Sequence, residues 1–404
     1  MLPAATRHGG IDLQQRRGAR LLVADDNPDN RDLLSRRLQR LGHDDIATAA
    51  DGVEAYDLLR AGCFDAVLLD VMMPRMGGVA VLERMRAEGR LEDTPVIMIS
   101  AATEIDMVVR CIELGAEDYL PKPINPVLLR ARLGAVLEKR ALRAAVRAQL
   151  AALERDLAQA REQQLSMVPT EFPGPATGHR VSVHAAMHPA RQVSGDLYDC
   201  FELTPDALCL VVGDVAGKGM PAALFMARAR SALRATALQV VALTGRVPGP
   251  AEVADLVNRE LCRNNPGCMF ITVFLGVLDM PAGQLEFVNA GHVRPRWLTA
   301  AGEVREIPCP AGMPLGILAT AVQPSTTVTL GPGDGLVVIT DGLPEMINDE
   351  GAFYTLARVM DDLRDLRLAE PEALITELCA RVLRFAGTAA QADDVTALAL
   401  RMLG

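Results

Sequence analysis

The chain has 404 residues, of which 50% are hydrophobic and 23% charged, with 51 acidic against 41 basic side chains and a net charge of −10. That length exceeds one domain of roughly 100–200 residues and predicts two to four, while the acidic balance argues against a polyanion-binding surface spread over the whole protein. Aromatic residues at 3% and eight cysteines without a C-x-x-C pair exclude stacking platforms for single-stranded nucleic acid and a disulfide or zinc framework; no apolar run nears the roughly 18 residues of a membrane span. The opening residues lack the apolar centre of a secretory leader, so a reduced, cytoplasmic, multidomain protein is expected, with neither nucleic acid nor membrane as partner.

Residues 1–18 are polar and without period, and read as a flexible tail. Over 19–137, short apolar runs at 21–24, 66–69 and 96–99, with a weaker one at 119–120, alternate with amphipathic patterns at 31–41, 53–60 and 79–85. Strand and helix alternating at this spacing predict a doubly wound α/β domain, a parallel sheet with helices on both faces. Polar residues follow each run: Asp25 and Asp26 the first, Asp70 the second, Ser100 the third, Lys122 the last. In an open parallel sheet, ligands bind beyond the carboxyl ends of the strands, so these five residues should share one rim. Three carboxylates and a lysine there predict a site for a hard divalent cation, Mg²⁺, held by oxygens and waters. Lys122 and the Ser100 hydroxyl would then receive an anion brought by the metal. One Asp after a strand is ordinarily a turn residue; five matching positions overturn that reading.

With Asp25-Asp26, the stretch 70–78 (DVMMPRMGG), Ile99-Ser100-Ala101 and Tyr119-Leu120-Pro121-Lys122-Pro123, the region 19–137 resembles the receiver domain of bacterial two-component response regulators. The resemblance implies a five-stranded parallel sheet and a sensor histidine kinase as partner. It implies Asp70 as the phosphoacceptor, with Asp25, Asp26, Asp70 and the Met72 carbonyl as Mg²⁺ ligands. Lys122 would pair with the phosphoryl group, Ser100 and Tyr119 would form a switch pair, and a cis bond would precede Pro123. The physics agrees: phosphorylation adds about −1.5 to −2 charge and three acceptor oxygens at the rim, towards which the Ser100 hydroxyl can move, vacating space for the Tyr119 ring.

From 126 to 164 a helical pattern continues, with Gly134 its lone internal glycine, and the segment 138–168 reads as a helical linker. In it Val146, Leu150, Leu153, Leu157, Ala160 and Gln164 recur at heptad spacing. Two readings fit this seam: a helix packed on its own domain, or a two-stranded coiled coil between two copies of the chain. Its place between two domain-like regions favours the coiled coil, and hence a homodimer. Arg140, Arg143 and Arg147 are expected on its solvated face.

The region 169–404 has β-like runs at 207–212, 271–278, 336–340 and 395–400, with amphipathic helices at 220–243, 251–263 and 371–386. Short Gly-containing turns join several of the runs, which predicts an α+β domain on antiparallel sheets. Asp214 and Asp341 end apolar runs, whereas Asp393 precedes one. If the last strand is antiparallel to the other two, the sheet gathers all three acids on one edge. Oxygen-only ligation selects Mg²⁺ or Mn²⁺ over zinc, and two such ions about 3.5–4 Å apart hold a bridging hydroxide and a phosphate oxygen for in-line attack. The stretch 213–218 (GDVAGK) is one residue short of a P-loop, and Gly219 stands where its Ser or Thr is required. No G-x-S-x-G supports a serine nucleophile.

Ser194-Gly195-Asp196-Leu197-Tyr198-Asp199, the stretch 213–219 (GDVAGKG), Asn289-Ala290-Gly291-His292, Thr340-Asp341-Gly342 and Asp393-Asp394-Val395-Thr396 together resemble the metal-dependent serine/threonine phosphatases of the PPM (type 2C) superfamily. The nearest branch is the bacterial sporulation and stress-response one, which acts on phosphorylated anti-sigma-factor antagonists. The resemblance implies an antiparallel β-sandwich flanked by helices and two Mn²⁺ or Mg²⁺ ions. The acids that hold them would be Asp196, Asp214, Asp341 and Asp393, with the Val215 carbonyl, and Asp394 as the alternative should the last pair be offset by one. Ser194 stands where that branch often has Gly, with little effect expected. Asn289 and His292 read as turn residues and Asp199 as structural, while Lys218 stays open as a neighbour of the phosphate. The expected whole is a response regulator in which phosphorylation of Asp70 controls a phosphatase. Its rival is a phosphorylation-dependent adaptor that sequesters a partner without turnover.

Overall fold

The computed structural model describes residues 18–101, 105–174 and 180–403; the tail expected over 1–18 lies, but for Gly18, outside them. The chain divides into two compact units, residues 1–152 and 153–404.

The first unit runs β1 (Leu21–Ala24), α1 (Pro28–Arg40), β2 (Ile46–Ala49), α2 (Gly52–Ala61), β3 (Ala66–Asp70), α3 (Gly78–Ala87), β4 (Val96–Ala101), α4 (Ile105–Glu113) and β5 (Asp118–Lys122), and into α5 (Pro126–Leu165). Its five strands pair in the order β2-β1-β3-β4-β5, all parallel. β1 and β3 are buried residue by residue, which is why they read as unbroken apolar runs. One face of the sheet packs Leu22, Val67, Leu69 and Met98 against Leu59, Leu82, Met85 and Cys111 of the helices. The other packs Leu21, Val23, Leu68 and Ile97 against Leu34, Leu38, Leu129 and Leu133. Asn27 caps α1 ahead of Pro28, and Asp51 caps α2 by accepting from Val53 and Glu54, the residue types these positions favour.

Helix α5 continues through Gly134 to Leu165. Its basic residues are not merely solvated, as the sequence had suggested: Arg143 pairs with Glu117 at 3.1 Å, Arg147 with Glu92 at 2.8 Å, and Arg140 with Asp65. Those acids lie near the amino-terminal ends of β3, β4 and β5. The extended helix is thus clasped to the rim opposite Asp70. Leu142, Val146, Leu150 and Leu153 stay exposed.

The second unit contains β6 (Val181–His188), β7 (Asp196–Thr204), β8 (Ala207–Val215), α6 (Met220–Thr244), α7 (Pro250–Cys262), β9 (Ile271–Asp279), β10 (Gln284–Ala290), β11 (Arg296–Leu298) and β12 (Val304–Glu306). It closes with β13 (Ser325–Thr329), β14 (Gly335–Ile339), α8 (Thr355–Leu366), α9 (Pro371–Ala386) and β15 (Val395–Met402). Two five-stranded sheets, β13-β10-β9-β8-β7 and β12-β11-β14-β15-β6, are antiparallel throughout. Alternation along β8 shows the layering. Leu208, Leu210 and Val212 join Phe274, Phe287, Leu336, Val338, Leu398 and Leu400 between the sheets. Cys209 and Val211 face outward onto Ala222, Met226 and Leu233 of α6 and Val257 of α7. Helices α8 and α9 cover the other sheet through Val359, Leu363, Leu378 and Val382. No described helix is long and apolar enough to cross a membrane.

Candidate functional site

The carboxyl-terminal rim of the parallel sheet carries the first group of acids. Asp25 and Asp26 follow β1, Asp70 ends β3, Ser100 lies near the end of β4, and Lys122 ends β5. Asp25 and Asp70 are buried and Asp26 exposed, and the three offer carboxylate oxygens within 4.8 Å of one another. Lys122 Nζ stands 2.8 Å from Asp70 Oδ2 and 3.0 Å from Asp25 Oδ2. Burial pushes the Asp70 carboxyl above its ordinary pKa; Lys122 pulls it back and Asp25 and Asp26 push it further. Burial also works against the Lys122 ammonium, but Asp70 and Asp25 overcome it and hold its pKa above the usual value. Three carboxylates converging beside a single ammonium fit a hard divalent cation.

Ser100 is buried and its hydroxyl donates to the Ala101 carbonyl at 3.1 Å. Tyr119 is half-buried on the neighbouring strand, with the Arg132 guanidinium over its ring. Met72 lies two residues past Asp70 with an exposed side chain, and the Lys122–Pro123 bond is cis. A Cβ on Gly78 would meet the Asp70 carbonyl oxygen at 2.1 Å, so only glycine fits where α3 starts behind this acid.

The second group of acids differs from expectation in one respect. Asp214 on β8 and Asp196 on β7 are register partners in one sheet, whereas Asp341 follows β14 and Asp393 precedes β15 in the other. The acids therefore come together from both sheets of the sandwich, not along one sheet edge. A cross-sheet hydrogen bond from Thr340 Oγ1 to Asp196 Oδ2, 2.9 Å long, joins the two sides. Burial and then Asp214 hold the Asp196 carboxyl well above the usual carboxylate range. Burial, Asp341 and Asp393 push Asp214 up to about 7. Burial, Glu345 and Asp393 likewise raise Asp341. Asp214 thus carries the repulsion of acids from the opposite sheet, which a divalent cation would relieve; among the described residues, the receiver acids alone bring three carboxylates within 4.8 Å of one another. Val215 closes β8 beside Asp214.

Asp393 and Asp394 part company. Asp394 turns inward and accepts from Ala190 N at 2.7 Å, Ser194 Oγ at 2.7 Å and Gly195 N at 2.8 Å. Asp393 is half-exposed and pairs with Lys218 Nζ at 2.9 Å. Lys218 therefore stands on one of the four acids, Asp393. Asp199 is buried between Arg230 and Arg234 of α6, a structural ion cluster. Asn289 Oδ1 accepts from His292 N at 2.8 Å across a turn, and burial lowers the His292 pKa to about 4.

Two contributors were not apparent from the sequence. Gln164, assigned to the heptad seam, is buried instead: its Nε2 donates to Ser194 O at 2.7 Å and its Oε1 accepts from Ser194 N at 2.8 Å. Ser194 in turn donates from Oγ to Asp394 and accepts at Oγ from Asp196 N at 3.0 Å, so its hydroxyl does more than replace a glycine. The end of α5 is thereby bonded to the residue two before Asp196. A glutamine at an otherwise apolar seam position was the one signal available.

Comparison with known proteins finds relatives of both units. Residues 21–134 match the family model for the response regulator receiver domain, and residues 204–403 match that for stage II sporulation protein E (SpoIIE). The chemotaxis protein CheY homolog of Campylobacter jejuni is 39% identical over 119 residues, which cover 29% of this chain and 92% of that protein. Protein IcfG of Synechocystis sp. is 27% identical over 273 residues, 61% of this chain and 41% of IcfG. The SiaA-PP2C domain of Pseudomonas aeruginosa shares the fold, with a TM-score of 0.55 at 23% identity, over 63% of this chain and 98% of that domain. The chain spans less than half the length of several curated relatives it matches. By these matches the chain belongs to the response regulator receiver family, with a receiver domain fused to a SpoIIE-family phosphatase domain of PP2C fold.

Proposed function

We propose that the chain is a response regulator whose output is a metal-dependent protein serine/threonine phosphatase, controlled by phosphorylation of Asp70. The observation that carries this reading is the meeting of Asp196 and Asp214 from one sheet with Asp341 and Asp393 from the other. Mg²⁺ or Mn²⁺ ions held there, with the Val215 carbonyl, would supply a water acidic enough to be hydroxide at neutral pH and would neutralise phosphoryl oxygens. The chain's own part is to orient those acids. Thr340 fixes one Asp196 oxygen. Asp394 ties down the backbone around Ser194 and Gly195, so that Asp196 leaves β7 at a set angle.

In the receiver, Asp25, Asp26, Asp70 and the Met72 carbonyl would hold Mg²⁺, Lys122 would take the phosphoryl group, and Ser100 and Tyr119 would report it. A sensor histidine kinase is the proposed donor. Resemblance to the sporulation and stress-response branch makes a phosphorylated anti-sigma-factor antagonist the proposed substrate. Helix α5 is the proposed transmitter, since it begins in the receiver and its Gln164 is bonded to Ser194 beside Asp196.

The test is phosphate release from a phosphoserine-bearing antagonist domain in Mn²⁺, with and without beryllofluoride on the receiver. Turnover abolished by Asp214→Asn and altered by beryllofluoride is the expected result. Tight binding of the phosphoprotein without turnover would make the chain an adaptor instead. Equal rates with and without beryllofluoride would end the regulatory part.

A further inference from the structure

We propose that Lys218 serves the acid site in two states: it is the internal counter-ion of Asp393 while no cation is bound, and the phosphoryl-binding ammonium once Asp393 turns to a cation. The inference rests on the phosphatase reading and adds to it a residue that contacts substrate. Among the described residues, the bond from Lys218 Nζ to Asp393 Oδ2 is the one ion pair made by any of Asp196, Asp214, Asp341 and Asp393. The same ammonium also donates to the Ala392 carbonyl. A lysine from the β8–α6 loop has thus reached across to the start of β15 and pairs with Asp393, the acid whose charge raises both Asp214 and Asp341.

The backbone is built for that reach. Lys218 is flanked by Gly217 at φ +101° and Gly219 at φ +79°, a conformation that glycine adopts without penalty. A Cβ on Gly219 would meet nothing within 4 Å. Neither glycine is there for want of space; both hold a positive-φ backbone on either side of the lysine. The stem is unbranched and the charge compact, so the ammonium can swing without repacking a core. Both partners are about 40% exposed as side chains, and a pair so exposed is held weakly.

Charge then dictates the sequence of contacts. A divalent cation competes with the ammonium for the same Asp393 carboxylate and carries twice the charge. A displaced Lys218 remains tethered at the mouth of the site, where a phosphoryl group bearing about two negative charges would otherwise meet an acid-rich rim. Lysine binds phosphate as a point charge. Its removal should therefore help the cation and harm the anion.

The experiment uses the full chain carrying Asp25→Asn and Asp70→Asn, so that the receiver rim does not take up metal, and compares Lys218, Lys218→Met and Lys218→Arg. Mn²⁺ affinity is read by titration calorimetry without substrate, and inorganic phosphate affinity by titration of the Mn²⁺-loaded protein. Lys218→Met should bind Mn²⁺ about fivefold more tightly and phosphate about tenfold more weakly. Lys218→Arg should keep phosphate affinity within about threefold. A loop that merely collapsed would weaken both ligands, and that result overturns the proposal, as does unchanged phosphate affinity. If the parent chain hydrolyses no phosphoprotein, the phosphatase reading fails, while the two affinities still decide what Lys218 does.

Discussion

Asp214 carries the clearest conflict between folding and function at the level of single residues. Burial, Asp341 and Asp393 push its pKa to about 7, so the cation-free fold favours its protonated form. A carboxyl raised in the folded state contributes stability that is fully present below its unfolded pKa of about 4 and is lost as pH rises through about 7. In EDTA, Asp214→Asn should therefore stabilise the protein at pH 8, by on the order of 1–3 kcal/mol, the usual cost of an uncompensated buried polar group. At pH 4, where the carboxyl is substantially protonated in the unfolded chain as well, the gain should largely vanish. Urea denaturation at the two pH values checks this, and equal effects at both would refute the assigned cause. Gln164→Leu tests the opposite kind of residue. It keeps the bulk but strips Ser194 N–H and C=O of their partners, and should cost about 1–3 kcal/mol by the same measurement. Asp214 and Asp341 were legible in the sequence because each follows an apolar run, and Asp393 because it precedes one, whereas Asp196 came only from the family resemblance. Gln164, Ser194 and Thr340 were not, because their importance lies in bonds between residues 30 or 144 positions apart.

Secondary-structure elements were legible to the degree that both their faces are covered. β3, β8, β14 and β15 are buried almost throughout and read as unbroken apolar runs. β2, at the sheet edge with three of its four residues not buried, offers no such run. β7 is largely buried but studded with Asp196, Asp199 and Glu202; the partners of the two aspartates lie elsewhere in the fold, and its polar composition hid it. Helix α5 was visible in nearly its full length, yet its attachment was not. The sequence shows a row of basic residues, whereas the structure shows Arg140, Arg143 and Arg147 gripping acids that precede three different strands. Single surface ion pairs contribute about 0–1 kcal/mol each, but three in succession on one helix act on the same two turns. Replacing all three arginines by alanine should speed amide hydrogen exchange over residues 138–150 by about tenfold. Exchange in β1 and β3 should be unmoved. Unchanged protection over 138–150 would mean that helix propensity alone holds those turns.

At the scale of the whole molecule, the proposed control requires a phosphoryl group on Asp70 to alter chemistry at acids in another domain, and α5 is the continuous element that enters both. Its receiver turns are clasped through arginines, and its last turns are bonded to Ser194. Between them Leu142, Val146, Leu150 and Leu153 are 47–59% exposed, an apolar stretch beyond the turns that Leu129, Leu133 and Val136 bury in the receiver core. A second copy of the same helix is the partner that heptad spacing suits. Each buried leucine would contribute about 1.5–3 kcal/mol, but a seam this short gives only weak, concentration-dependent association. That weakness suits a switch, because a small bias from the receiver suffices to shift the population. Beryllofluoride should therefore raise the dimer fraction in sedimentation equilibrium. Leu150→Glu with Leu153→Glu should hold the chain monomeric, leave basal phosphate release in place, and abolish its response to beryllofluoride. A response that survives in a monomer would place the transmission within one chain, through the clasp and Gln164 alone. A dimer that survives the two glutamates would place the contact on another surface.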